Sequence, residues 1–318
     1  MNTMRAIHQT AFGDSTVLEL VEAPVPEPLP TEVRVRVHAA GVNPVDGKTR
    51  AGKGMAAVLG TPPFGVGWDV SGVVDAVGLG VTTLAPGDEV YGMPWFPREA
   101  GAYADYVTAP SRQFARKPRS IGHVAAAALP LAALTAWQAL VDTAHVEAGQ
   151  RVLIHAAAGG VGHLAVQIAT ARGAHVIGTG SAQREEFVRS LGAAEFVDYR
   201  STRFEEELEP VDIVIDLVGD AEQTGLRSVS LVRPGGLYVG VPSGIGDEVG
   251  AAAAARGVRA TGILVEPDGA ALAQIAELVD AGRLRVEVER TFPLAQAAAA
   301  QNAVATGRTQ GKIVLEVV

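Results

Sequence analysis

Small residues dominate one turn of this chain, Ala156-Ala157-Ala158-Gly159-Gly160-Val161-Gly162, with A-x-G-x-x-G spacing from Ala157 through Gly159 to Gly162. Backbone without bulky side chains can come close to a pyrophosphate. A helix starting at the last glycine adds unpaired N–H donors and a partial positive charge. Ala158, Gly159, Gly160, Val161 and Gly162 are therefore the predicted pyrophosphate contacts of a dinucleotide site. A site for NAD normally carries an Asp or Glu about twenty residues further on, to hold the ribose hydroxyls. Here that region reads Gly178-Thr179-Gly180-Ser181-Ala182-Gln183-Arg184, with no acid before Glu185. An acid would repel a 2′-phosphate, whereas Ser181 and Arg184 can donate hydrogen bonds to one. The pattern predicts NADPH rather than NADH.

Other chemistry is sparse. There is no cysteine, which excludes disulfides, thiolate catalysis and Cys-ligated zinc and is compatible with a reducing cytoplasm. No Ser/His/Asp arrangement is evident. Asn43 before Pro44 is a common turn arrangement, and Asp46 reads as a local cap or pair. His155 and His163 read as packed histidines, Trp137 as core, and Glu205-Glu206-Glu207 as a solvated face. The net charge of -9 argues against nucleic acid or an anionic membrane as partner. The first residues lack the apolar core of a signal peptide. The low-charge stretch 121–141 reads as an interior helix interrupted near Pro130 rather than a membrane span.

Hydropathy patterning supplies the elements that must hold these residues. Arg151 to His155 and Ala174 to Thr179 are apolar strands flanking the turn and a mostly apolar helical segment, a βαβ unit stopped by Arg172-Gly173. Residues 1 to about 118 are β-rich. Val33, Val35 and Val37 alternate with Arg34, Arg36 and His38, and further strands are expected at Met4–Gln9, Val70–Val77, Glu89–Tyr91 and Tyr106–Thr108. Gly/Pro turns between them suggest a small barrel or sandwich. Beyond Ile121, Ala-rich helices alternate with strands at Val211–Val218, Leu237–Val241 and Val258–Val265. Residues 251–255 suit a loop or short helix. A helix is expected over 270–281 and another over Leu294–Val304, with strands at Arg285–Glu289 and Lys312–Val317.

Taken together, AAGVNPVDGKTRAG (39–52), GWDVSGVVDAVG (67–78), PGDEVYG (86–92), GAYADYV (101–107), LPLAALTAWQAL (129–140), VLIHAAAGGVGHLAVQIA (152–169) and RPGGLYVGVPS (233–243) resemble the medium-chain dehydrogenase/reductase superfamily. Within it they are similar to the zinc-free quinone oxidoreductase branch, related to zeta-crystallin. The resemblance runs along nearly the whole chain. It implies an α/β protein: a GroES-like β-rich domain over 1–118, completed by a tail at 266–318, and a Rossmann doubly wound parallel-sheet domain over 119–265, with the active site in the cleft between them.

The zinc-dependent relatives have a catalytic Cys near Asn43 and Gly-His-Glu where this chain has Gly67-Trp68-Asp69, and the loop holding their structural zinc is missing here. Without a Lewis acid, alcohol oxidation is not expected. The resemblance implies hydride transfer from NADPH to a small molecule already electrophilic, a quinone or an α,β-unsaturated carbonyl, with no metal. A non-catalytic nucleotide-binding module is the competing reading, against which Asn43, Thr135 and the intact phosphate turn weigh. By the same resemblance Asn43 borders nicotinamide and substrate, and Thr135 contacts the cofactor near the nicotinamide. Lys48 replaces a frequent tyrosine, either stabilising enolate charge or sitting solvated. Tyr199 joins Arg184 at the 2′-phosphate, Val218, Gly219, Val241, Ser243, Leu264 and Val265 line the nicotinamide, and Lys312 closes over the cofactor. A homodimer is implied too, joined through the Val258–Val265 edge strand.

Overall fold

The computed structural model describes residues 2–219, 223–242 and 244–318. Its contacts divide the chain into two units, Met1–Leu134 with Glu266–Val318, and Thr135–Val265. The first boundary falls inside a helix, beyond the expected break after 118. Two contacts explain why 119–134 stay with the first unit. A Cβ on Gly41 would lie 2.4 Å from the Ala127 carbonyl, so this backbone packs directly on a strand. The Leu131 N–H also donates to Asp69 Oδ1 at 2.7 Å.

In the first unit, β1 (Thr3–Gln9), β2 (Leu18–Pro24) and β4 (Phe64–Gly65) form a sheet of order β2-β1-β4. The main sheet is built round β3 (Glu32–Val42), with β5 (Asp69–Val77), β6 (Glu89–Gly92), β7 (Tyr106–Pro110), β8 (Phe114–Arg116), β15 (Val288–Pro293) and β16 (Lys312–Glu316). Its order is β15-β16-β3-β5-β6-β8, with β7 also on β3. The alternation in β3 is read correctly up to Val37: Val33, Val35 and Val37 are buried, and Arg34 pairs outward with Asp75 at 2.6 Å. After a register shift between Val37 and Ala39, residues 39–43 are buried on both faces. That irregularity, invisible to a period-2 count, turns the end of β3 into an interior element.

The β-rich segment thus carries the short helices α1 (Pro44–Arg50) and α2 (Ala56–Leu59), and the low-charge stretch is broken at Pro130 as expected, into α3 (His123–Ala127) and α4 (Pro130–Trp137). Three later expectations move. The strand expected at 285–289 is β15, shifted toward the C-terminus because it pairs in parallel with β16, Arg290 opposite Ile313. The helix expected from Leu294 begins as a 3₁₀ turn and becomes α11 only at Ala297, running to Ala305, while the 270–281 helix is α10 (Gly269–Asp280).

The second unit is one parallel sheet of β9 (Arg151–Ile154), β10 (His175–Gly180), β11 (Glu195–Asp198), β12 (Val211–Asp216), β13 (Val232–Gly240) and β14 (Arg259–Gly262), in the order β11-β10-β9-β12-β13-β14. That is the doubly wound 3-2-1-4-5-6 arrangement, whose switch point lies between β9 and β12. The helices α5 (Gly162–Ala171), α6 (Glu185–Ser190), α7 (Phe204–Glu207), α8 (Thr224–Leu231) and α9 (Asp247–Ala255) belong to this unit. β14 is shorter than the expected Val258–Val265 run, since only Arg259–Gly262 pairs with β13.

His155 is a packed histidine. Nδ1 lies 3.0 Å from Thr179 Oγ1, Nε2 lies 2.9 Å from Ser228 Oγ, and the ring stands 4.8 Å from that of Phe204. Burial pushes its pKa down to about 4 from 6.5. The unfolded chain therefore takes the proton first, and stability is lost as pH falls from 6.5 toward 4. Chemical denaturation across this range should show a shallower fall for His155→Gln. A residual slope is expected from His38 and His123, which burial shifts the same way. An unchanged slope in the variant would discard the assignment.

The Glu205–Glu207 run is not wholly a solvated face. Glu205 is nearly buried, takes a two-oxygen grip from Arg227 at 2.8 Å and a further bond from Arg203, and is pulled down to about 2.

Candidate functional site

Between β9 and α5 the chain reverses through Ala156, whose φ is 49°, and the Gly159 N–H bonds its carbonyl at 2.9 Å. A Cβ on Gly162 would stand 2.2 Å from that same carbonyl, so the last small position of the motif is sterically obligatory. His163 grips the turn from inside the helix, Nδ1 being 2.9 Å from the Gly159 carbonyl. Among the described residues the amides of Gly160, Val161 and Gly162 have no backbone partner. Three donors at a helix start, with Gly159 to Val161 half-buried and Ala158 buried, suit a pyrophosphate.

The neighbouring strand ends converge. Tyr199, just past β11, donates its N–H to the Gly180 carbonyl at 3.2 Å, and Arg184 donates its N–H to the Ser181 carbonyl at 2.8 Å. Ser181, Arg184 and Tyr199 are thus brought to one place, with Tyr199 half exposed. The first acid, Glu185, is engaged by Arg189 at 2.8 Å.

Past β12 an aspartate missed at the level of sequence organises the next loop. Asp216 is fully buried. Oδ1 accepts from the N–H groups of Val218 (2.8 Å) and Gly219 (3.0 Å), while Oδ2 accepts from the Tyr238 hydroxyl at 2.7 Å. This is why the strand expected to reach Val218 stops at Asp216: the carboxylate takes the next amides out of the ladder. Gly219 supports the turn with a φ of 80°. Val218 and Leu264 are exposed, Val241 half-buried, and Thr135 and Val265 buried, while Ser243 lies outside the described residues. The signal available in the sequence was an acid ending an apolar strand two residues before a Val-Gly pair.

Within the first unit, Asn43 begins α1 and is 2% exposed. Its Nδ2 donates to Asp69 Oδ2 at 2.8 Å, its Oδ1 accepts from Lys312 Nζ, and its N–H donates to Asp46 Oδ2 at 2.7 Å. Lys312 Nζ also donates to the Val42 carbonyl at 3.2 Å and stands 3.7 Å from Asp69 Oδ2. Burial pushes the lysine down and the aspartate up, and each is held toward its charged form by the other. Asp46 caps α1 as expected, and takes the Tyr103 hydroxyl at 2.6 Å. Among the described residues its Oδ1 is buried without a partner, and burial raises its pKa to about 7. The Asn43 carboxamide thus ties Asp69 to Lys312 and holds the end of β3. Lys48 is exposed on α1 and is not drawn into the cluster.

Zinc does not fit these residues. The three positions offer a carboxamide, an indole whose Nε1 donates to the Arg98 carbonyl at 2.7 Å, and a carboxylate already facing a buried ammonium. Lys312 brings the positive charge that a metal would bring, and a second cation beside it would be repelled. Among the described residues no group of three His, Cys, Asp or Glu could hold a metal ion.

Residues 29–119 match the family described as the alcohol dehydrogenase GroES-like domain, and 191–315 match the one described as zinc-binding dehydrogenase. The human mitochondrial NAD(P)H oxidoreductase RTN4IP1 is 37% identical over 329 residues, spanning 91% of this chain and 82% of that protein. The chloroplastic NADPH-dependent alkenal/one oxidoreductase of Arabidopsis thaliana is 33% identical, spanning 98% of this chain and 79% of its own. Among solved structures, the quinone oxidoreductase of Coxiella burnetii superposes with a TM-score of 0.94 at 39% identity, over 100% of both chains.

Proposed function

Because the chain belongs to the medium-chain dehydrogenase/reductase superfamily, in its quinone oxidoreductase-like branch, we propose that it uses NADPH to reduce quinones or α,β-unsaturated carbonyls without a metal. It is an NAD(P)H oxidoreductase of the quinone, alkenal or enoyl reductase type acting on a small molecule. The observation carrying the finer reading is the gathering of Ser181, Arg184 and Tyr199 at two adjacent strand ends, with the first acid already paired.

When bound, the reduced nicotinamide supplies the hydride. The chain's own work is positioning. The amides at 160–162 would hold the pyrophosphate, and Ser181, Arg184 and Tyr199 would hold the 2′-phosphate. Asp216 fixes the backbone of Val218 and Gly219, and the Lys312–Asn43–Asp69 cluster fixes the end of β3. Asn43, Trp68 and Asp69 do not fit a metal ion, so the acceptor's own conjugated oxygen would take the developing charge.

The test is loss of NADPH absorbance with phenanthrenequinone and with a series of 2-alkenals. Turnover of either class supports the reading. Binding without turnover across the panel replaces it with a nucleotide-binding module.

We also infer a cytoplasmic homodimer. The absence of cysteine suits a reducing compartment, and no helix among the described residues is long and apolar enough to cross a membrane. The edge strand β14 leaves backbone groups open to a second copy. Light scattering at micromolar concentration should give twice the 32.8 kDa chain mass. The monomer mass would remove the dimer.

A further inference from the structure

Trp68, whose indole stands at one of the three positions unfit for zinc, is 2% exposed and packs against the segment 93–101 of the first unit. Its Nε1 donates to the Arg98 carbonyl at 2.7 Å, and its ring meets Phe96 edge to face, with 5.2 Å between centroids. It thus holds the segment on both sides of Pro97. Other contacts pin the remainder. The Trp95 N–H donates to Gln113 Oε1 at 2.7 Å, and the Trp95 Nε1 donates to the Thr108 carbonyl at 2.8 Å. Glu99 Oε1 accepts the Gly65 N–H at 2.7 Å. Trp95 itself has a φ of 58°, a conformation that costs a bulky side chain energy and persists only where its surroundings over-determine it. The start of the segment is fixed too. Gly92 pairs with Val70, so Met93 lies one step further along, beside Asp69. Asp69 Oδ2 in turn takes the Asn43 carboxamide at 2.8 Å.

We propose that Trp68 sets acceptor specificity: it seats residues 93–101 as an unyielding wall on the Asn43 side of the acceptor, and so disfavours α,β-unsaturated carbonyls with a bulky group on the β-carbon. This rests on the enone reading above and on Asn43 bordering the acceptor. An edge-to-face pair fixes the orientation of both rings as well as their separation. The indole bond to a backbone carbonyl fixes the main chain itself. The wall therefore cannot shift for a larger substituent without giving up both contacts, and a close-packed interior has little slack to absorb the move. Trp68 is almost wholly buried and acts through the segment it holds, which makes it a positioning residue.

Steady-state kinetics with ethylideneacetone and benzylideneacetone, enones that differ only in a methyl or a phenyl group on the β-carbon, read this directly. The wild type should favour ethylideneacetone by kcat/KM. Trp68→Leu should raise the ratio of benzylideneacetone to ethylideneacetone kcat/KM roughly tenfold. Trp68→Phe keeps a ring but loses the N–H donor, and should fall between the two. Phe96→Leu breaks the same contact from the side of the segment and should move the ratio in the same direction. A variant that merely folds less well loses both activities in proportion, so the ratio separates positioning from stability. NADPH affinity should stay within about twofold of the wild type in all three variants. A wild type that reduces neither enone overturns the enone reading and this proposal with it. A wild type that reduces both without preference, or variants whose kcat/KM falls evenly for the two, overturns the role of Trp68 alone.

Discussion

Lys312→Met is expected to cost about 3–5 kcal/mol of unfolding free energy, the range found when one partner of a buried ion pair is removed. The ammonium is 3% exposed and its partner Asp69 not at all. Methionine keeps the length of the side chain, so the cavity is small and the loss reports charge. Asp69 would be left with donors from Asn43 and Leu131 but no cation, in a place where burial already disfavours its charged form. Asp69→Asn in the same chain should recover most of the loss, because the uncompensated charge is then gone. Denaturant unfolding of the two single variants and the double variant gives the coupling directly. A loss below about 1 kcal/mol in Lys312→Met would show a pair screened like one at the surface, and the argument for a charge-bearing cluster in place of a metal would go with it.

The second expectation concerns the cofactor. Arg184→Ala should remove a charge-assisted hydrogen bond worth about 1.5–3 kcal/mol, a loss of roughly tenfold or more in NADPH affinity. NADH lacks the 2′-phosphate, and its affinity should hardly move. Direct titration with both cofactors decides the matter. Equal losses for the two, or a wild-type protein that prefers NADH, would assign Arg184 to the structure of α6 rather than to the phosphate.

Local features around the candidate site are legible in the sequence. The turn at 156–162 could be read because its requirement is local: backbone must approach backbone, as a Cβ on Gly162 standing 2.2 Å from the Ala156 carbonyl makes plain. The capping role of Asp46 was legible for the same reason, three residues along a helix start. His163 was readable as structural, and its partner is four residues away. Asp216 escaped notice because one of its three partners, Tyr238, comes from a separate strand. Glu205 reads as solvated in the sequence because its carboxylate's principal partner, Arg227, lies in another helix. Boundaries failed where pairing sets them, as in β15, whose position depends on β16 rather than on its own apolar run.

What the sequence determined by itself was therefore the set of constraints that act over a few residues: strand alternation, small-residue turns, helix starts, the missing acid after β10 and the loss of thiol ligands. The tertiary structure decided which distant groups share a buried environment. Lys312 and Asn43 are far apart in the chain and meet only because β16 pairs antiparallel with β3, placing Ile313 opposite Val42. Burial then makes that meeting consequential. A lysine, an asparagine and an aspartate that would be ordinary polar residues in water must satisfy one another once solvent is removed, and no local pattern in the sequence carries that obligation.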